Sequence, residues 1–112
     1  MKTSMNKVEL IGFAANVNEV KELEKGNAML RFSVATSEEY QKLNGELVSN
    51  TTWHNIVMWG DAARKAAKEV AKGVQIELLG KIVSRSYMDK DGNKKYVTEI
   101  QAAEAKKVSL EN

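Results

Sequence analysis

Residues 51–73 read TTWHNIVMWGDAARKAAKEVAKG, and within this stretch the period of the apolar residues changes from two to nearly four. From Thr51 to Trp59 the alternation sets Trp53, Asn55, Val57 and Trp59 on one side and His54, Ile56 and Met58 on the other. The β-branched and aromatic content makes this segment a strand. Asp61 then offers an N-cap, and Ala63, Ala66, Ala67, Val70 and Ala71 recur at helical spacing until Gly73, which stands where a C′ glycine belongs.

Outward from this stretch the chain reads as further strands. Asn6 to Phe13 is an extended apolar run with Gly12 near its end. Ala28 to Thr36 alternates, with Ala28, Leu30, Phe32 and Val34 on one face and Met29, Arg31, Ser33 and Ala35 on the other. The polar stretch from Ser37 to Asn50 carries a turn signal at Asn44-Gly45 and is long enough to be a mobile excursion between strands. Beyond the helix, Val74 to Tyr87 is β-rich, with Gly80 marking a bulge or bend. Asp91-Gly92-Asn93 closes a hairpin into Lys95 to Ala102. Five strands with one helix between the third and fourth match the order of a mostly all-β fold, the five-stranded OB-fold Greek-key barrel. A simple α+β sandwich is the alternative. The expected organisation is one domain over residues 1–105 and a short charged tail over 106–112.

Composition excludes several chemistries. At 112 residues there is room for one core. With no cysteine, disulfides, zinc-thiolate sites and cysteine nucleophiles are out, which fits a reducing cytosol and a cytoplasmic protein. No apolar stretch is long enough to span a membrane. The net charge of +2 is modest, with the surplus in the second half, and is weak evidence for a polyanionic partner. His54 is the only histidine and lies on the core side of its strand, so it reads as a hydrogen-bonded structural or interface residue. Asp89, Asp91 and Asn93 superficially suggest a calcium loop, but Gly92 is misplaced and Ile100 stands where the bidentate glutamate belongs. Ser37 has no base beside it, and no phosphate-binding glycine loop is present. No catalytic site, cofactor or metal is therefore expected.

If the Ile56/Met58 side faces the core, two tryptophans stand on the opposite face, where large apolar groups imply a partner surface. The alternative is that a second layer or subunit covers them. Lys81, Val83, Arg85 and Tyr87 share one face of their segment, interleaving cations with an aromatic, and Arg31 lies on the non-core face of its own. Aromatics that stack bases beside cations that neutralise phosphates form a track for a single strand.

Asn6-Lys7-Val8, Ala35-Thr36-Ser37-Glu38, Thr52-Trp53-His54, the run Ile56 to Gly60, Lys72-Gly73, and Asp91-Gly92 with Tyr96-Val97-Thr98-Glu99 together resemble the bacterial single-stranded DNA-binding protein family. The match runs from Asn6 to about Ala102. This resemblance implies base stacking at Tyr40, Trp53, Trp59 and Tyr87, and phosphate contacts at Lys21, Lys72 and Arg85. It implies a homotetramer, or a dimer, in which the first strand, with Lys7 and Glu9, pairs between subunits and His54 lies near a subunit contact. It implies single-stranded DNA as the partner and a role in replication, repair or recombination at the nucleoid.

The sequence also departs from the family pattern. Ala14-Ala15-Asn16-Val17-Asn18 replaces the usual Gly-x-Asp-Pro turn, and Asn55, Asp61 and Ser86 stand at commonly basic positions. Glu22 and Glu24 add negative charge near Lys21, and Glu9 replaces an aliphatic. The chain stops at Ser109-Leu110-Glu111-Asn112, so recruitment of replication proteins through an acidic tail is not expected. Each missing phosphate contact removes roughly one counterion-release contribution, which predicts weaker binding with a shallower salt dependence. Two other readings remain open: a single-stranded RNA binder, and an OB-fold interaction or assembly module with weakened DNA affinity.

Overall fold

Strict alternation in the second and third extended segments is what sheet formation requires of a strand with one buried face. The computed structural model describes residues 3–108. Its elements are β1 (Val8–Ala15), β2 (Lys21–Glu22), a single 3-10 turn (Glu24–Gly26), β3 (Ala28–Gln41), β4 (Leu47–Trp59), α1 (Gly60–Ala66), β5 (Gln75–Met88) and β6 (Lys94–Lys107). The sheet runs in the order β1-β5-β6-β4-β3-β2, and β1 also pairs with β3, which closes a five-stranded barrel and leaves β2 as a short edge. All pairings are antiparallel except β4 with β6. This is the OB-fold barrel, with α1 between its third and fourth strands.

Within the barrel the inward face of β1, β3, β4, β5 and β6 is mainly apolar. Leu30, Phe32 and Val34 of β3, Ile56 and Met58 of β4, Ile76 and Leu78 of β5, and Ile100 of β6 are buried together. At roughly 1.5–3 kcal/mol for each large side chain removed from water, this interior is the main source of stability. Ala63, Ala66 and Val70 join the same cluster, so α1 and the turn after it cover part of the barrel interior.

Two glycines permit closure. β1 passes from β5 to β3 at Phe13, which pairs with both Gln75 and Ala35. A Cβ on Gly12 would collide with the carbonyl oxygen of Ala35, and one on Gly80 with the carbonyl oxygen of Gln101. A register shift between Leu79 and Gly80 is the bulge expected there. Just beyond it, the Asn6 amide bonds both backbone groups of Ile82 at 2.8 and 2.9 Å, imitating one more residue of β1.

Four expectations are corrected. The stretch from Ser37 to Asn50 is not a loose excursion. β3 and β4 stay paired from Glu38↔Asn50 to Gln41↔Leu47, and only Lys42–Glu46 forms the turn, closed by the amide of Lys42 on Glu46 and by Asn44 Oδ1 accepting from Glu46. The helix is short, because after Ala66 the bonds tighten to Lys68→Lys65 and Glu69→Ala66, and the Gly73 amide docks on Ala14 instead. Asp61 does not cap it. The N-cap is Trp59, without a side-chain bond, and Asp61 accepts from Arg64 at 2.7 Å. The last strand continues past Ala102 to Lys107, so Lys106 and Lys107 belong to β6 rather than to a tail; Ser109 to Asn112 lie outside the described residues.

The β5–β6 connection is a hairpin turn. Asp89 Oδ1 accepts from the amides of Asp91 and Asn93 at 2.9 and 2.8 Å, and Gly92 takes a positive φ of 80°. Paired ribbons projecting from the barrel raise the radius of gyration to 16.8 Å, against the roughly 13 Å usual for a globule of about this length. Among the described residues no helix is long and apolar enough to cross a membrane.

Candidate nucleic-acid interface

Alternation along β4 turns Trp53 and Trp59 outward, 59% and 44% exposed, while Ile56 and Met58 are buried inside. The same outward face continues across β3, β4, β6 and β5. One row is Arg31, Val57, Gln101 and Lys81, each opposite the next in the ladder; another is Lys21, Met29 and Trp59. Arg85 and Tyr87 follow along β5, and the Tyr87 ring is 48% exposed. The structure thus brings Trp53, Trp59, Tyr87, Lys21, Arg31, Lys81 and Arg85 to one side of the barrel.

Val57 breaks the pattern: it points outward and yet is only 1% exposed. The cause is an ion-pair bridge. Arg31 Nη1 donates to Glu99 Oε2 at 2.9 Å and Arg85 Nε donates to Glu99 Oε1 at 3.1 Å. Arg31 belongs to β3 and Glu99 to β6, so the first of these bonds spans β4 and covers Val57. Glu99 is 6% exposed, whereas both arginines keep part of their surface in solvent. Burial pushes the Glu99 carboxyl upward, but the bonds from Arg31 and Arg85 outweigh it and hold the group below the ordinary carboxylate value. The three groups carry a net charge of +1.

Sequence reasoning did not single out Glu99 as a site residue. Its outward placement follows from alternation with Ile100, but its partners do not. Arg85 lies across the β5–β6 hairpin, but the Arg31 contact depends on the parallel pairing of β4 with β6, which no local signal announces.

Two expected residues stand apart from this face. Tyr40 is exposed, but it pairs with Val48 and counts along β3 with Phe32 and Val34, so ladder register sets it on the side opposite Trp53. Lys72 lies in the turn before β5, off the strand face. The charge of Glu22 near Lys21 is compensated by Arg64, which donates to it at 2.9 Å and also bonds Asp61 and the carbonyl of Gly26. That contact holds the Glu22 carboxyl below its ordinary value.

The residues expected at a subunit contact occupy other surfaces. His54 Nε2 lies 2.9 Å from Thr36 Oγ1, half-buried on the inward-facing side. Lys7 and Glu9 form an exposed ion pair at 3.0 Å. Beyond Glu9, β1 turns Ile11 and Phe13 outward, each more than half exposed. A shallow depression beside Ile11 is lined by Leu79, Glu77 and Glu104 from the neighbouring strands.

Known proteins are similar to this chain in sequence and fold. The chain is 41% identical over 101 residues to single-stranded DNA-binding protein 1 of Chlorobaculum tepidum, covering 89% of this chain and 62% of that protein. It is 41% identical over 109 residues to the single-stranded DNA-binding protein of Neisseria meningitidis, covering 97% of this chain and 63% of the relative. The chain thus spans less than two thirds of the length of these curated relatives. Among solved structures, a Plasmodium falciparum SSB complex with ssDNA superimposes with a TM-score of 0.81 at 29% identity, covering 99% of both chains. A deletion variant of the Thermus aquaticus single-stranded DNA binding protein shares the fold, with a TM-score of 0.77 at 24% identity over 94% of this chain and 51% of its own. The sequence profile of the single-strand binding protein family matches residues 5–108, and the chain belongs to that family.

Proposed function

We propose that this chain binds single-stranded DNA without sequence preference across the outward face of β3, β4, β6 and β5, and protects it during replication, repair or recombination. The observation that carries this reading is the pair of half-exposed tryptophans on one face, with the cationic Arg31–Glu99–Arg85 cluster beside them. Bases stack on Trp53, Trp59 and Tyr87, while Lys21, Arg31, Lys81 and Arg85 meet phosphates. Stacking tolerates any sequence because every base has a π-face. Tyr40 and Lys72 are reached only by a strand that continues beyond this face.

The chain acts by binding and not by catalysis, in the cytoplasm at the nucleoid. Its subunits associate through β1, where Ile11 and Phe13 give the apolar area that Lys7 and Glu9 lack. Titrating oligo-dT while following tryptophan fluorescence at two salt concentrations tests the reading. Quenching that weakens with salt is expected, and no quenching at low salt overturns it. Equal affinity for oligo-rU would move the ligand to RNA.

A further inference from the structure

An acidic side chain in the middle of a surface that receives a polyanion calls for a reason. By charge alone, Glu99 works against phosphate binding. It is nonetheless the most buried charged group on this face, and its two carboxylate oxygens are divided between arginines from different strands, Arg31 of β3 and Arg85 of β5.

We propose that Glu99 is a positioning residue of the interface: by engaging one N–H group of each arginine, it fixes two guanidinium forks in place so that together they receive one phosphodiester. This rests on the single-strand reading above. Each guanidinium carries five N–H donors and spends one on Glu99, so the others remain for the ligand. A free arginine side chain must give up rotamer freedom when it closes on a phosphate, whereas one already held by a carboxylate has given it up on folding. The arrangement also limits charge. Two arginines and one glutamate amount to a single cation, so the cluster releases about one counterion and lowers the salt slope accordingly. Tight geometry with modest charge is what a strand-binding surface needs if affinity is to come from stacking beside it.

The test is a double-mutant comparison on the full chain with fluorescein-labelled oligo-dT, read by anisotropy over a series of salt concentrations. In the parent, Glu99→Gln should weaken binding about fivefold, although it removes a negative charge from the face. In an Arg31→Gln/Arg85→Gln background the same change should leave binding unaltered or tighten it, because nothing remains to be positioned. Tighter binding by Glu99→Gln in the parent overturns the proposal, since Glu99 would then be only an opposing charge. Equal weakening in both backgrounds also overturns it, because the effect would then be one on the fold. Arg85→Lys, which leaves Glu99 in place and keeps the charge, provides an arm independent of Glu99. It should bind as poorly as Arg85→Gln, and full affinity would overturn the proposal. Absence of binding by the parent chain would instead overturn the single-strand reading and this proposal with it.

Discussion

Trp53 faces Ala35 across the β3–β4 ladder, one of the largest side chains of the outward face beside one of the smallest. Nothing on β3 rises to cover the indole, and it remains 59% exposed. Trp59, opposite the more flexible Met29, keeps 44%. These rings contribute little to the core, so removing them should be felt in binding rather than in stability. Trp53→Ala and Trp59→Ala should each weaken oligo-dT binding by ~1–3 kcal/mol, the general range for base stacking in single-strand binders of this kind rather than a value obtained from this chain. Melting temperatures should move little. Unchanged affinity in both variants would place the strand elsewhere.

The outward assignment of these tryptophans was legible in sequence because β4 alternates between two chemically distinct sides. The barrel order was legible too, from five extended segments and one alanine-rich turn of helix. Periodicity failed where tertiary contacts override local preference. Ala67, Val70 and Ala71 keep helical spacing, yet the regular helix ends at Ala66, the following bonds go over to shorter turns, and Gly73 docks on Ala14 of β1. The segment from Ser37 to Gln41 is polar on both sides, since the ribbon projects from the barrel and has no buried face to pattern. Glu99 could be seen to point outward and to share a hairpin with Arg85, but its bond to Arg31 arises between strands far apart in sequence.

Closure of the barrel at the bulge predicts a strict size limit. The space where a Cβ of Gly80 would lie is taken by the backbone of Gln101 and Ala102 on β6, which cannot swing aside as a side chain could. Gly80→Val should lower stability by at least about 1–3 kcal/mol, the usual cost of overpacking. A guanidinium chloride titration read by far-ultraviolet circular dichroism would measure this. The same substitution at Gly92, where a Cβ meets nothing, should act only through its positive φ and cost less.

The apolar outward face of β1 makes self-association testable, most cleanly at Ile11, because Phe13 pairs with Ala35 and so shares an outward row with Trp53. Ile11 and Phe13 are both more than half exposed in the single chain, while Gly12 between them and Ala14 after them are buried. Ile11→Lys and Phe13→Asp should each shift the light-scattering mass toward the monomer at micromolar concentration. Neither should unfold the chain, since exposed positions carry little of the core. A parent already monomeric would exclude assembly through β1.

The carboxyl of Glu99 links stability to pH with a definite sign. Burial raises it, the two guanidinium bonds lower it further, and the net result is a group held below its ordinary value of 4.5. The folded state therefore binds this proton less readily than the unfolded chain does. Its contribution is fully present above the unfolded value and is lost as pH falls through the lower, folded value. At neutral pH, Glu99→Gln should cost about 1.5–3 kcal/mol, the range for hydrogen bonds to a charged group. In acid the parent carboxyl becomes neutral and resembles the amide, so the two denaturation midpoints should converge. Midpoints measured from about pH 7 down to about pH 3 check this. A gap that stays constant or widens on acidification would mean that Arg31 and Arg85 do not hold the carboxylate ionised.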